Sequence, residues 1–133
     1  MLLANGIVVY DIKNIPKYVE GVIVNKKEFE VCYWKGCRNI NDNINKIIKK
    51  YIKEASKPMG KNITYELNVD MIKDIRKMLK KYNKKKWDSE VDKSMWEWED
   101  IEYVFKQYIK NLKWAEKCCK KGIAVKYYVT TEV

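Results

Sequence analysis

The sequence predicts an α+β fold in which three helices pack on a small, mainly antiparallel sheet. Two observations carry this prediction. Three segments repeat apolar residues every three or four positions, which is the spacing of a helix with one buried face. Between them lie short segments rich in β-branched and aromatic residues, which favour strands. With 133 residues and no low-complexity linker, residues 1–133 are expected to form a single domain.

The N-terminal part is predicted to be a strand followed by a β-hairpin. Residues 6–10 are β-branched and aromatic, and Asn14 and Pro16 end this segment. Residues 18–24 and 28–33 flank an Asn-Lys-Lys turn, as the two arms of a hairpin would. The second arm alternates apolar Phe29, Val31 and Tyr33 with polar residues, so these three side chains are expected to share one face.

The first helix is predicted from residue 41 to about residue 55. Its apolar positions fall on one face: Ile44, Ile47, Ile48, Tyr51 and Ile52. Asn41, Asp42 or Asn43 can accept its first free amides. Pro58 and Gly60 end it, and a strand or extended arm follows at residues 63–67.

Asn68 is predicted to cap the second helix, in which Asp70 lies in the first turn, where a negative charge is favoured. The buried face is expected to hold Met71, Ile72, Ile75, Leu79 and Tyr82. A basic stretch and then an acidic one follow, consistent with a flexible loop. That loop contains Met95-Trp96-Glu97-Trp98, whose two indoles either seal the core or line a pocket.

Residues 101–121 are predicted to form a third helix with two unlike faces. The core face holds Ile101, Phe105, Tyr108, Leu112, Ala115 and Cys119. The opposite face holds Lys106, Lys110, Lys113, Lys117 and Lys120, with Tyr103 and Trp114 beside Lys110. A basic face with rings suits an anionic ligand that contains a base, but a plainly solvated lysine face with Trp114 packed under a loop is the alternative. A closing strand is predicted at residues 123–131.

The net charge of +10 comes almost entirely from lysine, since Arg38 and Arg76 are the two arginines among 28 basic residues. Lysine attracts phosphate as a point charge without the planar fork that reads base edges, so small-anion or non-specific binding is favoured over specific DNA recognition. No apolar run is long enough to cross a bilayer, and the N-terminus has no secretory signal. We therefore expect a cytoplasmic protein without membrane contact.

Catalytic, cofactor and metal chemistry are not predicted. The chain has no histidine, which is the commonest general base and nitrogen ligand, and its five glycines are scattered instead of forming a phosphate loop. Its four cysteines are expected to be free thiols with spacings that suit zinc poorly. Asp70 and Asp74 could hold magnesium but more simply serve the helix start. Hydrolysis of a bound nucleotide stays open.

A binding site is predicted at the junction between the hairpin and the first helix. Rings, cations and amides occur together there, and a helix start offers free amides to an anion. Stacking on a ring combined with charge on phosphate is the usual way to hold a nucleotide. With the rings and cations of the third helix, the candidate ligand-binding residues are Tyr33, Trp34, Lys35, Arg38, Asn39, Asn43, Trp98, Tyr103, Lys110 and Trp114.

Several motifs occur in an order that resembles a family of small bacteriophage accessory proteins. In that family the first helix opens Tyr-Trp-Arg-Lys-x-Asn-x-Ile-His and the chain ends Tyr-Tyr-Gln-Ser-Ser-Trp. Here the matching positions begin at Tyr33-Trp34-Lys35 and end at Thr131, with Lys35 at the arginine position and Asn41 at the histidine position. The resemblance implies a phage or prophage origin and a counter-defence role.

The leading hypothesis is a phage-type sponge that sequesters an anionic nucleotide or cyclic nucleotide immune signal in the host cytoplasm without turnover. A homo-oligomer is expected, because a short chain makes a shallow pocket and ligand sites favour interfaces. One alternative is a non-specific nucleic-acid-binding protein, whose affinity would fall steeply with salt. Another is an inhibitor that docks on an acidic host protein through its tryptophans.

Overall fold

In the computed structural model, which describes residues 2–52, 62–82 and 98–132, three helices pack against a five-stranded antiparallel sheet. The predicted α+β class is thereby confirmed. In chain order the elements are β1 (Leu2–Val9), β2 (Val22–Val24), β3 (Glu28–Lys35), α1 (Arg38–Tyr51), β4 (Ile63–Glu66), α2 (Val69–Lys80), α3 (Trp98–Lys120) and β5 (Val125–Glu132). The Trp96 indole, with the rest of residues 83–97, lies outside the described residues.

The sheet has the strand order β2-β3-β1-β5-β4, with β1 at its centre. The predicted hairpin is β2–β3, although β2 covers three residues of the seven expected. Its turn includes Asn25 and Lys26, both with positive φ. The first and last strands are neighbours in the sheet, since β1 pairs with β5 along its whole length.

A β-bulge in β3 decides which of its side chains enter the core. Ile7 pairs with Cys32 and Val8 pairs with Glu30, so Val31 is an extra residue in β3. Beyond the bulge the alternation is reversed: Cys32 and Trp34 are buried, whereas Tyr33 is half-buried on the face away from the helices. The expectation that Tyr33 shares a face with Phe29 and Val31 is therefore wrong.

α1 and α2 bury most of the faces that their periodicity predicted, but Tyr51, expected on the buried face of α1, is 40% exposed. In α1 the buried apolar residues are Ile40, Ile44, Ile47 and Ile48, and in α2 they are Met71, Ile72, Ile75 and Leu79. The Asn68 side chain accepts a hydrogen bond from the Met71 amide at 2.8 Å, which confirms the predicted cap. The start of α1 differs from its prediction: it begins at Arg38, three residues earlier, and the side chain of its N-cap Cys37 does not cap the first-turn amides.

Two sets of buried polar contacts fix the helices on the sheet. Asn5 on β1 donates to the Tyr127 hydroxyl at 2.9 Å, and that hydroxyl donates to Asn41 on α1. On α3, Asn111 donates to the carbonyls of Glu20 at 2.7 Å and Val31 at 2.8 Å. Because such buried groups are costly to leave unpaired, these bonds hold α1 and α3 in defined positions.

None of the helices in the described part of the chain is both long and apolar enough to span a membrane.

Candidate functional site

Two of the predicted ligand-binding rings lie in the core. Trp34 is 2% exposed and packs edge-on against Tyr108 with ring centroids 5.5 Å apart. Trp114 is 6% exposed and makes an edge contact with Phe29 at 5.9 Å. Neither indole presents a free face on which a base could stack. The bulge turns Trp34 inwards, and Trp114 shares the buried side of α3 with its neighbour Ala115.

The other predicted site residues are distributed over three surfaces. Tyr33 and Lys35 are half-buried on the helix-free face of the sheet. Tyr103 and Lys110 are exposed on α3, where the Tyr103 hydroxyl donates to Glu20 at 2.8 Å. Arg38, Asn39 and Asn43 lie on the first two turns of α1. The Trp98 side chain is outside the described residues. The structure therefore does not gather the ten into one site.

A concave site does occur between α1 and α2. This groove has a cavity volume of about 780 Å³ and includes two of the predicted residues, Asn39 and Asn43. Its full lining is Asn39, Asp42, Asn43, Lys46, Ile47, Lys50, Asp74, Lys77, Met78, Lys81 and Tyr82. Ligand pockets commonly have volumes of about 300–1,000 Å³, so the groove is large enough for a nucleotide.

Hydrogen bonds towards both ends of the groove hold its two walls together. Asn43 on α1 donates to the Tyr82 hydroxyl at 3.0 Å, and the Tyr51 hydroxyl donates to Asp74 on α2 at 2.7 Å. These pairings make the helices antiparallel, so that the start of α1 lies beside the end of α2. The hydrogen bond to Asp74 raises the pKa of Tyr51 to about 12, which keeps this phenol a donor at neutral pH.

The groove is electropositive. Four lysines and two aspartates line it, a net charge of +2. Lys46, Lys50, Lys77 and Lys81 form no ion pair with any residue that the structure describes. By contrast, Lys73, Arg76 and Lys120 surround the buried carboxylate of Glu116 between α2 and α3, with N–O distances of 3.9, 3.1 and 3.6 Å respectively. Within the part of the chain that the structure describes, no carboxylate neutralises the groove lysines by an ion pair.

The start of α1 adds a further positive contribution near Asn39. The first turn of α1 contains no acidic residue, and Cys37 gives its amides no side-chain acceptor. The free N–H groups and the helix dipole therefore favour an anion at this end of the groove, as the sequence suggested for a helix start.

Sequence reasoning missed the lysines and the tyrosine of the groove. Lys46 and Lys50 are four residues apart on α1, and Lys77 and Lys81 have the same spacing at the end of α2. That spacing places each pair on one side of its helix, so the sequence does indicate two basic helix faces. It does not indicate that these two faces line a common cavity.

The described residues offer little for covalent or metal chemistry. They contain no group of three histidine, cysteine or acidic side chains placed to hold a metal ion. Burial raises the pKa of the Cys118 thiol to about 11 and that of Cys32 well above its ordinary value. Both thiols are therefore protonated and weakly nucleophilic at neutral pH.

No protein family, curated protein or solved structure matches this chain.

Proposed function

We propose that the protein binds a nucleotide-sized, phosphate-bearing ligand in the α1–α2 groove and releases it unchanged. The observation that carries this proposal is a set of four lysines, none of them ion-paired with a described residue, around a cavity of about 780 Å³. An ammonium group attracts phosphate without needing a fixed geometry, and the cavity is large enough to accept a nucleotide.

The remaining lining groups suit the rest of a nucleotide. The Asn39 and Asn43 amides can donate and accept hydrogen bonds, and the Asp42 and Asp74 carboxylates can accept them from sugar hydroxyls or a base amino group. Tyr82 supplies an aromatic ring beside the lysines. Asp74 would accept such a hydrogen bond beside the one that it already accepts from the Tyr51 hydroxyl. The sugar and base of a nucleotide can use these polar groups, whereas inorganic phosphate offers them no sugar or base.

Binding without turnover is favoured by the chemistry of the lining, which has no histidine and no cysteine. The wider role is a hypothesis that builds on this binding. The resemblance to phage accessory proteins suggests sequestration of a nucleotide immune signal in the host cytoplasm.

Calorimetric titration with linear nucleotides, cyclic mononucleotides and cyclic dinucleotides tests the proposal. We expect at least one of them to bind saturably, and we expect the bound compound to be recovered intact after heat release. Absence of binding across the panel would contradict ligand binding, and recovery of a cleaved compound would contradict binding without turnover.

A second candidate function is non-specific binding of nucleic acid along α3. Its exposed face carries Lys106, Lys110, Lys113, Lys117 and Lys120 over about 21 Å of helix. Lys110, Lys113 and Lys117 form no ion pair with a described residue. Binding of this kind would weaken with salt in proportion to the number of phosphates contacted, by a slope of about 0.7–0.9 logarithmic units per phosphate. Retention of oligonucleotide affinity at high salt would exclude it.

A further inference from the structure

One corner of the sheet exposes an unusual amount of apolar surface. Six large hydrophobic side chains are exposed in the part of the chain that the structure describes, and four of them lie at this corner. They are Tyr18 at 58%, Val22 at 61%, Ile23 at 56% and Tyr103 at 56%. Clustered exposed apolar residues on a globular protein commonly mark an interaction surface.

The four residues are neighbours because α3 holds the chain that leads into β2. Gln107 donates to the Tyr18 carbonyl at 2.9 Å, and the Tyr103 hydroxyl donates to the Glu20 carboxylate at 2.8 Å. Val22 and Ile23 follow directly as the first two residues of β2, and their side chains point to opposite faces of the sheet. Ile23 pairs with Phe29 and shares the helix side with Tyr103, whereas Val22 pairs with Glu30 on the other face. The patch therefore joins an exposed ring of α3 to the edge of the sheet.

The backbone of this corner is also free to pair. β2 is the terminal strand of the described sheet, bonded to β3 on one side, with no described strand on the other. An edge strand presents unpaired N–H and C=O groups, and proteins usually protect such edges by keeping the strand very short or with a charge, a proline or a bulge. β2 is short, with three residues. The residues of β2 are Val22, Ile23 and Val24, which include neither a charge nor a proline.

We propose that β2 pairs antiparallel with β2 of a second copy of this chain and so forms a two-fold symmetric dimer. Centring the pair on Ile23, the middle residue of β2, places Val22 opposite the partner's Val24. The same register brings Glu20 close to the partner's Lys26, and symmetry repeats this contact. The patch is thus complementary to itself in both apolar character and charge.

Both charged groups lie beside β2, Glu20 before the strand and Lys26 after it. Glu20 is held through its side chain by Tyr103 and through its carbonyl by Asn111, at 2.8 and 2.7 Å respectively. Lys26 lies at the opposite end of β2, in the turn to β3, and is exposed. The pairing uses no residue of the α1–α2 groove, so it is independent of the proposed ligand and can fail separately from it.

Sedimentation equilibrium over a range of protein concentrations tests the dimer. We expect the unaltered protein to dimerise and Ile23→Lys to weaken the dimer at least tenfold, because it places two like charges at the centre of the pair. Circular dichroism of Ile23→Lys checks that it stays folded. An unaltered protein that is monomeric at every concentration would overturn the proposal, and so would a dimer that this substitution leaves intact.

Reversal of the two charges gives a sharper test. Lys26→Glu lowers the net charge from +10 to +8, so general repulsion between copies predicts tighter association. The proposed register predicts weaker association, by about tenfold, because two acidic groups then meet on each side. Glu20→Lys should weaken the dimer similarly, and the double variant E20K/K26E should restore it.

Tyr103→Phe is the matched control, since it removes only the hydroxyl that holds Glu20. It should change dimerisation much less than Glu20→Lys does. Tighter association of Lys26→Glu, or failure of the double variant to recover, would contradict this register.

Discussion

The outer face of α3 and the groove between α1 and α2 are both rich in lysine, but they differ in shape. On α3 the lysines form a row on a single helix, which can meet only an extended surface. In the groove, Lys46 and Lys50 on one helix share a cavity with Lys77 and Lys81 of the other. A high density of lysine on one helix therefore does not by itself create a concave basic site. Such a site needs two helices or strands whose lysines face one cavity.

The aromatic residues of the two regions also differ. Trp114 lies among the lysines of α3 in sequence, but its ring is in the core against Phe29. Tyr82 lies just beyond α2 and lines the groove, although its ring also makes an edge contact with Phe105 at 5.9 Å. An aromatic residue beside lysines in sequence is therefore not a stacking platform unless the helix orientation turns its ring outwards.

The largest effect is expected from Trp114→Ala. If the ring is a core residue, its removal leaves a cavity and should lower the free energy of unfolding by about 3–5 kcal/mol. Urea denaturation measures this change. Lys113→Ala, on the exposed side of the same helix, is the control and should leave the urea midpoint nearly unchanged. Equal stability of both variants would show that Trp114 is not packed as described.

The next effect concerns ligand affinity and compares the two lysine-rich regions directly. The double variants K77E/K81E in the groove and K113E/K117E on α3 both lower the net charge from +10 to +6. We expect the groove variant to bind the best nucleotide of the panel about 30-fold more weakly, or about 2 kcal/mol. The α3 variant should bind the same nucleotide at most about threefold more weakly, since it changes only the long-range electrostatic field of the protein.

Calorimetry of both variants at one ionic strength measures the difference, after circular dichroism has shown that each is folded. Equal losses in the two variants would mean that net charge, and not the groove, determines the affinity.

The smallest effect is expected on the face of the sheet that points away from α1, α2 and α3. There the Tyr128 hydroxyl donates to the half-buried Glu30, and burial raises the pKa of that carboxyl. A raised pKa means that the folded state holds the proton more tightly than the unfolded state. The protonated Glu30 carboxyl therefore stabilises the fold below pH 4.5, its ordinary pKa. This stabilisation is lost as the pH rises through the pKa of the folded state.

Glu30→Gln should remove this pH dependence because the amide does not ionise. We expect the variant to match the unaltered protein near pH 4 and to exceed it at pH 7 by no more than about 1 kcal/mol, since solvent screens the exposed half of the group. Thermal denaturation at the two pH values measures the difference. A variant that is less stable at pH 7 would contradict the assigned direction.

Much of the fold follows from local sequence signals. The faces of α1 and α2 were predicted because residues such as Ile44 and Ile72 repeat at a helical period that any short window contains. The Asn68 cap and the β2–β3 hairpin are local in the same sense. The bulge at Val31 is not, because an extra residue in one strand is defined by its pairing with another strand. That single residue reverses the orientation of Tyr33 and Trp34.

The candidate site was predicted only in part. Asn39 and Asn43 were identified because they lie near a helix start, whereas Lys77 on α2 and Tyr82 just beyond it reach α1 only through tertiary packing. No window of sequence contains the hydrogen bond between Asn43 and Tyr82, which spans 39 positions of the chain. The groove could therefore be recognised only once the two helices were placed side by side.

The central claim, that the α1–α2 groove holds the ligand, is tested most directly by NMR titration of the isotope-labelled protein. The probes are a nucleoside triphosphate, a cyclic mononucleotide and a cyclic dinucleotide. We expect saturable shifts of the backbone amides of Asn43, Lys77 and Tyr82, and little change at Lys113 and Lys117 on α3. Saturable shifts confined to α3 or to the sheet, with the groove amides unmoved, would contradict the assignment.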